Sequence, residues 1–243
     1  MRCFKFSQRC LKEILRDPLN LAFGFGFPIV LLLLLNTLQK NIPTPLFTLE
    51  KLTPGICVFG LSFMTLFSAT LIAKDRETAF LQRLYTTPLT SFDFIFGYMI
   101  AFLPIAFIQT LFCFIFAMIL GLKFHLSMLY AIIGILPMAF FNIALGLLCG
   151  SIFNVKQVGG ICGALLTNLS AWLSGVWFDL SLVGGIFEKI AHSLPFYHAV
   201  ALEQALLNGS YENILIHLLY ICCFCIITVV FAVIIFLHQS RKH

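Results

Sequence analysis

The chain has 243 residues, of which 60% are hydrophobic and only 10% charged, with 28 Phe and a formal charge of +5. Soluble domains carry about 25% charged and about 45–50% apolar residues. So few charges cannot cover a water-facing globule of this length, which excludes a soluble enzyme, an acidic scaffold and a disordered tail. The mean hydropathy of +1.02 is that of an integral membrane protein.

In chain order, residues 4–17 read as an amphipathic helix. Phe4, Leu11, Ile14 and Leu15 share one face, while Lys5, Gln8, Arg9, Lys12 and Arg16 lie elsewhere. Such a helix rests in the membrane interface with its basic groups among headgroups. The apolar run that follows is too long for the h-region of a signal peptide, about 7–15 residues, and no A-x-A-like site follows Leu38. It is expected to stay as the first span.

A spanning helix needs about 20 apolar residues, because a rise of about 1.5 Å per residue must cross about 30 Å of hydrocarbon. Six stretches qualify: 19–38, 54–73, 94–120, 128–150, 158–178 and 214–237. The expected fold is therefore an all-α integral membrane protein, one domain over residues 1–243. It has six transmembrane helices, the amino-terminal interfacial helix, a helix in the second-to-third loop, and a helical re-entrant or interfacial segment before the last span.

The loop at 74–91 is patterned. Phe80, Leu81, Leu84 and Tyr85 make one apolar stripe, and Asp75, Arg76, Gln82, Arg83 and Thr86 are assigned to the remaining surface. Pro88 ends the helix, and Thr90-Ser91-Phe92-Asp93 fits a capping box opening the third span. The segment 179–212 is too polar to span yet too apolar for a solvated loop. A pair of short helices broken at Pro195 fits it. Asn208-Gly209-Ser210 is a glycosylation sequon only in a secretory organism.

The basic residues are unevenly placed. Arg2, Lys5, Arg9, Lys12, Arg16, Lys74, Arg76, Arg83, Lys156, Arg241 and Lys242 fall on one side of the membrane; Lys40, Lys51, Lys123 and Lys189 fall on the other. The positive-inside bias then puts both termini in the cytoplasm. The positive excess thus reports orientation, with the lipid bilayer as partner and no nucleic acid.

The nine cysteines follow no metal or disulfide spacing. Cys57, Cys113, Cys149, Cys162, Cys222, Cys223 and Cys225 lie inside expected spans as small hydrophobes. No phosphate-binding G-x-x-x-x-G-K-[ST] loop occurs, and no Asp, Glu, Lys or Arg lies near a span centre. Asp93 sits at a helix start, where a carboxylate is favoured without any further role. His192, His198 and Glu203 match no metal-ligand spacing. Neither a nucleophile–base pair nor a carboxylate pair is spaced for chemistry, so no catalytic residue, metal or bound cofactor is expected. The proline positions Pro28, Pro104 and Pro137 do not repeat between halves, unlike many secondary carriers. Energy for transport would have to come from a partner.

Among polar groups in the spans, Gln109, Asn142, Asn168, Ser170 and Ser174 are candidates for a substrate path, with Asn36 nearer an end. Interhelical hydrogen bonds of about 0.6–2 kcal/mol account for such groups equally. Gly146-x-x-x-Gly150 and Gly159-x-x-x-Gly163 permit close helix approach.

The stretch D-R-E-T-A-F-L-Q-R-L-Y-T-T-P-L at residues 75–89 resembles the coupling-helix signature of ABC-2 type transporter permeases, R-E-x-G-x-x-[ED/Q]-x-L-x-x-T-P after the second span. The order of elements along the chain is similar to that family, as is the L-P-F-Y-H-A-V stretch at 194–200. Ala79 stands where many members carry Gly, and no Arg follows Glu203. The resemblance implies a half-transporter, with two permease chains (homodimer or heterodimer) and two separate ATP-binding-cassette subunits carrying ATP and Mg. Glu77, Thr78, Phe80, Leu81, Arg83, Leu84, Tyr85 and Pro88 would then contact the ATPase. The expected activity is export of an amphiphilic or hydrophobic compound, a drug or antimicrobial, across the plasma (inner) membrane. Export of a lipid-linked saccharide is the alternative, and a non-transporting assembly or sensor protein is the alternative of another class.

Overall fold

The computed structural model describes residues 2–43, 47–78 and 91–240, and these are helical with no strand. Five stretches are long and apolar enough to cross a membrane: Pro18–Gln39, Leu49–Glu77, Phe92–Ile119, Ser127–Ile152 and Ile214–Ile235. We label the helices α1 (Arg2–Leu15), α2 (Pro18–Gln39), α3 (Leu49–Glu77), α4 (Ser91–Ile119), α5 (Ser127–Gly134), α6 (Leu136–Ile152), α7 (155–173), α8 (Gly185–Ser193), α9 (Pro195–Asn208) and α10 (Ile214–Ser240).

α1 is amphipathic, but its buried stripe differs from the expected one. Phe6, Cys10 and Ile14 face inward at successive helical turns, while Phe4 and Leu15 are exposed. The cause is a protein neighbour: Phe6 packs edge-on against Phe94 and Tyr98 of α4, with centroids 5.3 and 4.9 Å apart. Phe4 and Leu15 flank this contact on the side free for lipid.

α2 widens into a π-helical turn at Ala22–Gly26, where the run A-F-G-F-G weakens regular α geometry. Gly24 admits the ring of Phe67 from α3. α5 and α6 form one span with an interruption at Ile135, two residues before Pro137, whose ring lacks the N–H of a regular turn.

α3 is the axis of the bundle and is buried along most of its length. α6 runs parallel to it. Thr65 Oγ1 donates to the Asn142 backbone and side-chain oxygens (2.9 and 3.0 Å), and Ser68 Oγ approaches the Ile143 carbonyl (3.3 Å). The two backbones meet at Gly146 and Gly150. A methyl group at Gly146 would strike the Thr65 carbonyl and Ser68 hydroxyl, and one at Gly150 the Ala69 carbonyl and Ile72 side chain. α4 runs antiparallel to α3, bringing Tyr98 to Asp75 at one end and Gln109 against Gly60 further along.

The stretch expected to span at 158–178 is a helix only to Leu173, followed by a turn in which Gly175 has φ +75°. α7 is π-helical over Gly159–Leu166 and falls outside the five apolar helices. Gly159 and Gly160 lie in open space, and Gly163 makes only ordinary contact with Leu66, so this second glycine pair joins no close crossing among the described residues. Between α7 and α10 come a 3₁₀ turn at Leu180–Leu182, then α8 and α9 separated at Pro195, as expected. α9 is more than interfacial: it packs into the bundle against α3, α5 and α10, burying Phe196, Ala199, Val200, Leu202 and Glu203.

The glycine contacts set a test. Gly146→Ala and Gly150→Ala should each destabilise the purified chain by about 1–3 kcal/mol, the usual cost of overpacking. Gly160→Ala should leave the thermal midpoint in detergent unchanged; an equal loss at all three positions would contradict a close α3–α6 crossing.

Candidate functional site

α3 continues one turn past the expected span end at Ala73, through Lys74, Asp75, Arg76 and Glu77. Successive helical residues are rotated by about 100°. Three neighbouring side chains in this turn therefore point at three different partners.

Asp75 corrects the expectation of a solvated residue, since it is only 2% exposed. Its carboxylate receives two hydrogen bonds from the Arg9 guanidinium, 2.8 and 2.9 Å, in the bidentate geometry that suits Arg. The Tyr98 hydroxyl donates a third at 2.6 Å. Arg9 also pairs with Glu13 at 2.6 Å. Burial opposes the Arg9 charge, but the bonds and field of Asp75 outweigh it and hold the guanidinium above its ordinary range. Beside them the Cys10 thiol is pushed up to about 12 by burial, which leaves it neutral and unreactive. One carboxylate thus ties α1, α3 and α4 together.

Arg76, also expected at the surface, turns toward α6. It donates to the carbonyls of Gly150 (2.7 Å) and Ser151, and more loosely to Phe153 (3.4 Å). These are orphan carbonyls of the α6 carboxyl end, where a cation is doubly favoured, by hydrogen bonding and by the helix dipole. Glu77 Oε1 accepts from the backbone N–H of Val155 at 2.9 Å. At the carboxyl end of its own helix a carboxylate has the unfavourable sign, but at the amino end of α7 it has the favourable one. Asn154 and Gln157 complete that end with a reciprocal capping box. Thr78 leaves the helix in extended geometry, its hydroxyl donating to the Asp75 carbonyl at 3.2 Å.

The remaining residues expected to touch an ATPase, Phe80, Leu81, Arg83, Leu84, Tyr85 and Pro88, lie outside the described residues. The described chain nevertheless brings residues 75–78 into one junction with α1, α4, α6 and α7.

The residues considered for a substrate path are not gathered in one place. Asn142 is buried between α6 and α3, accepting from Thr65 and donating to the Met138 carbonyl at 2.9 Å. Asn168 is exposed on α7 and donates to the Ala164 carbonyl at 2.7 Å. Ser170 and Ser174 bond back to Thr167 and Ala171 in their own helix region. Gln109 is buried against Gly60, its amide oxygen and nitrogen both without a partner among the described residues. Ser174 does line a cavity of about 500 Å³ at the opposite end of the bundle, together with Phe47, Trp177, Phe178, Asp179, Glu188 and Tyr197.

Near that cavity, His198 Nε2–H donates to the His192 carbonyl (2.9 Å), which leaves its Nδ1 to accept from His217 Nδ1–H (2.8 Å). Burial, reinforced by the neighbouring imidazoles, keeps His198 below the ordinary histidine range. This pair fastens α9 to the start of α10. Sequence reasoning missed Arg9, Tyr98 and the inward roles of Asp75 and Arg76. The available signal was a helical run that continues past Ala73, with Asp75 four residues beyond Leu71 on the buried side.

These features define a multi-pass helical membrane protein whose second apolar helix ends in a polar junction binding its neighbours. The family model for ABC-2 type transporters matches residues 2–208, and the chain belongs to that family. The match is to the membrane component rather than to an ATPase, and the family in general implies an ATP-binding subunit as partner. Over 126 residues the chain is 31% identical to a Cyanophora paradoxa protein named as a transport permease, ycf38, a match covering 49% of this chain and 43% of that protein.

The junction is testable by stability. Asp75→Asn should cost about 2–3 kcal/mol, less than a fully buried pair because Arg9 keeps partial solvent access. Tyr98→Phe should cost about 1 kcal/mol. Thermal unfolding of the purified chain checks both, and equal losses would contradict a carboxylate-centred junction.

Proposed function

We propose that this chain is the membrane subunit of an ATP-driven exporter in the plasma (inner) membrane of a prokaryote, with both termini cytoplasmic. Six spans are counted, α7 being the fifth despite its lower hydropathy. Two such chains, identical or sister, assemble with two separate ATP-binding subunits. ATP and Mg act on those subunits and not on this chain.

The observation that carries the reading is the junction at 75–78, which stands immediately before the segment whose sequence resembles a coupling helix. The apolar stripe of Phe80, Leu81, Leu84 and Tyr85 docks in a cleft of the ATPase, with Arg83 and Thr78 beside it and Pro88 ending the helix. An apolar core with flanking charges is the usual anatomy of such a contact. Motion of the docked segment on ATP binding pulls on Glu77 and Thr78. Glu77 passes it to α7 through Val155, Arg76 to α6, and Asp75 to α1 and α4. The spans tilt as a set, opening a path for substrate.

The substrate is amphiphilic or hydrophobic, a drug or antimicrobial compound. The lack of any Asp, Glu, Lys or Arg near a span centre favours such a cargo. The aromatic-lined cavity at the far end suits its release, because it combines Trp177 and Tyr197 with the carboxylates of Asp179 and Glu188.

Co-purification with the cognate ATPase tests the proposal. Leu84→Asp should weaken recruitment by on the order of tenfold or more, the effect of losing about 1.4 kcal/mol or more at a docking core. Glu77→Lys should reduce transport-coupled ATPase activity, because it reverses the charge at the amino end of α7. If wild type recruits no ATPase, or both variants behave as wild type, the exporter reading fails. Vesicle transport with lipophilic dyes and with lipid-linked saccharides then separates the two cargo classes.

A further inference from the structure

α9 reads P-F-Y-H-A-V-A-L-E-Q-A-L-L-N, and Glu203 is its single acidic residue. The side chain is 1% exposed, and both carboxyl oxygens lack a hydrogen-bond partner among the described residues. Oε1 lies beside Gly134 of α5, where an added Cβ would sit 3.1 Å away. On α3 the Cys57 thiol is within electrostatic reach of it.

Among the described residues, none of the other titratable or charged groups on the packed elements pairs with it. On α3, Glu50 and Lys51 are exposed at the helix start, and the Lys51 carbonyl is taken by Gln204. Tyr130 of α5 is exposed. The Thr167–Leu173 part of α7 carries no ionisable side chain. On α8, Lys189 is exposed and Glu188 lies 4.0 Å from His192. On α10, His217 and Tyr220 are engaged with His198, which stands five positions and about 140° around α9 from Glu203.

An ionised carboxylate in such unpaired, water-excluding surroundings is strongly disfavoured, so the group neutralises instead. Among the described residues Glu203 makes no hydrogen bond that would explain a carboxyl group where leucine would fill the space. What distinguishes it from leucine is that it can take up and lose a proton.

We infer that Glu203 is a proton-binding site whose occupancy clamps α9 to α3 and α5. In the docked state the carboxyl group holds a proton. When α9 moves off α3 and α5, water reaches the oxygens, the proton leaves to solvent, and the carboxylate remains hydrated. The docked state therefore binds one proton more than the undocked state. Docking is fully favoured below the pKa of the water-exposed carboxylate and is lost as pH rises through that of the docked one. Between those limits the docking equilibrium falls tenfold per pH unit.

The test uses the full chain in lipid nanodiscs and needs no ATPase, so its outcome is separate from that of the exporter reading. Infrared spectra at neutral pH should show the carbonyl band of a protonated carboxylic acid that is lost in Glu203→Gln, shifted in Glu203→Asp and retained in Glu188→Gln. Amide hydrogen exchange should show α9 losing protection in wild type as pH is raised, by up to tenfold per unit beyond the intrinsic rate, whereas Glu203→Gln stays flat. A wild-type spectrum that differs from Glu203→Gln only by a carboxylate band overturns the inference. So does pH-independent protection of α9 in wild type. Should Glu203→Gln fail to fold, the pH titration of the wild-type acid band and the Glu203→Asp spectrum decide the question.

Discussion

Hydrocarbon offers no hydrogen bonds, so every polar group placed in it needs a partner inside the chain or a wet cavity. That constraint decides which faces of the helices turn inward. Thr65 and Ser68 direct α3 toward α6, and Asn142 answers from the other side. Ser62, Thr70 and Thr110 close on carbonyls of their own helices, which lets them sit at depth without a neighbour's help. The outer faces of α2 and α10 carry exposed Val30, Leu34, Ile216 and Ile226, as surfaces against lipid or another apolar partner should.

Where the chain approaches the polar boundary, the same rule yields stronger bonds. In the last turn of α3 Lys74 and Glu77 reach solvent, but Asp75 is turned inward toward α1 and α4. Asp75 is consequently held by a guanidinium and a phenol, while Arg76 and Glu77 find the two helix ends that suit their signs. Three consecutive charged residues at one helix end are thus fixed in three directions by three different partners. The other polar fastening, His198 on His217, joins two elements at the far end with neutral imidazoles.

Much of this was legible in the residues. Apolar length gave five of the six expected spans within a few positions, because a 20-residue apolar run has few alternatives. Pro195 divided α8 from α9 as proline chemistry demands. The errors have a common source. Amphipathic patterning says that a helix has a buried face but not what covers it, so the face of α1 over α4 was displaced from Phe4 and Leu15 to Phe6 and Cys10. Charge marks the expected end of a span, so Asp75 and Arg76 were assigned to water when partners 66 and 74 residues away held them inside. Glu203 was read only against metal-ligand spacing, because its burial, on a helix outside the apolar spans, comes from tertiary packing alone. The end of α7 was misjudged because Gly175 turns the backbone while the composition stays apolar.

The central position of α3 also has a consequence for biogenesis. It leaves the ribosome before α6, and Thr65 and Ser68 find their interhelical partners only 77 and 75 residues later. Glu77 meets Val155 78 residues on, and α9 follows later still. At a synthesis rate of about 5–20 residues per second, α3 waits about 4–15 s before α6 exists to receive it. During that interval Arg9 is already made and can engage Asp75, so the earliest fixed point of the fold is the one nearest the amino terminus. The most deeply enclosed of the described apolar helices is thus made well before it is enclosed, and whatever shelters it meanwhile must lie outside its own finished interior.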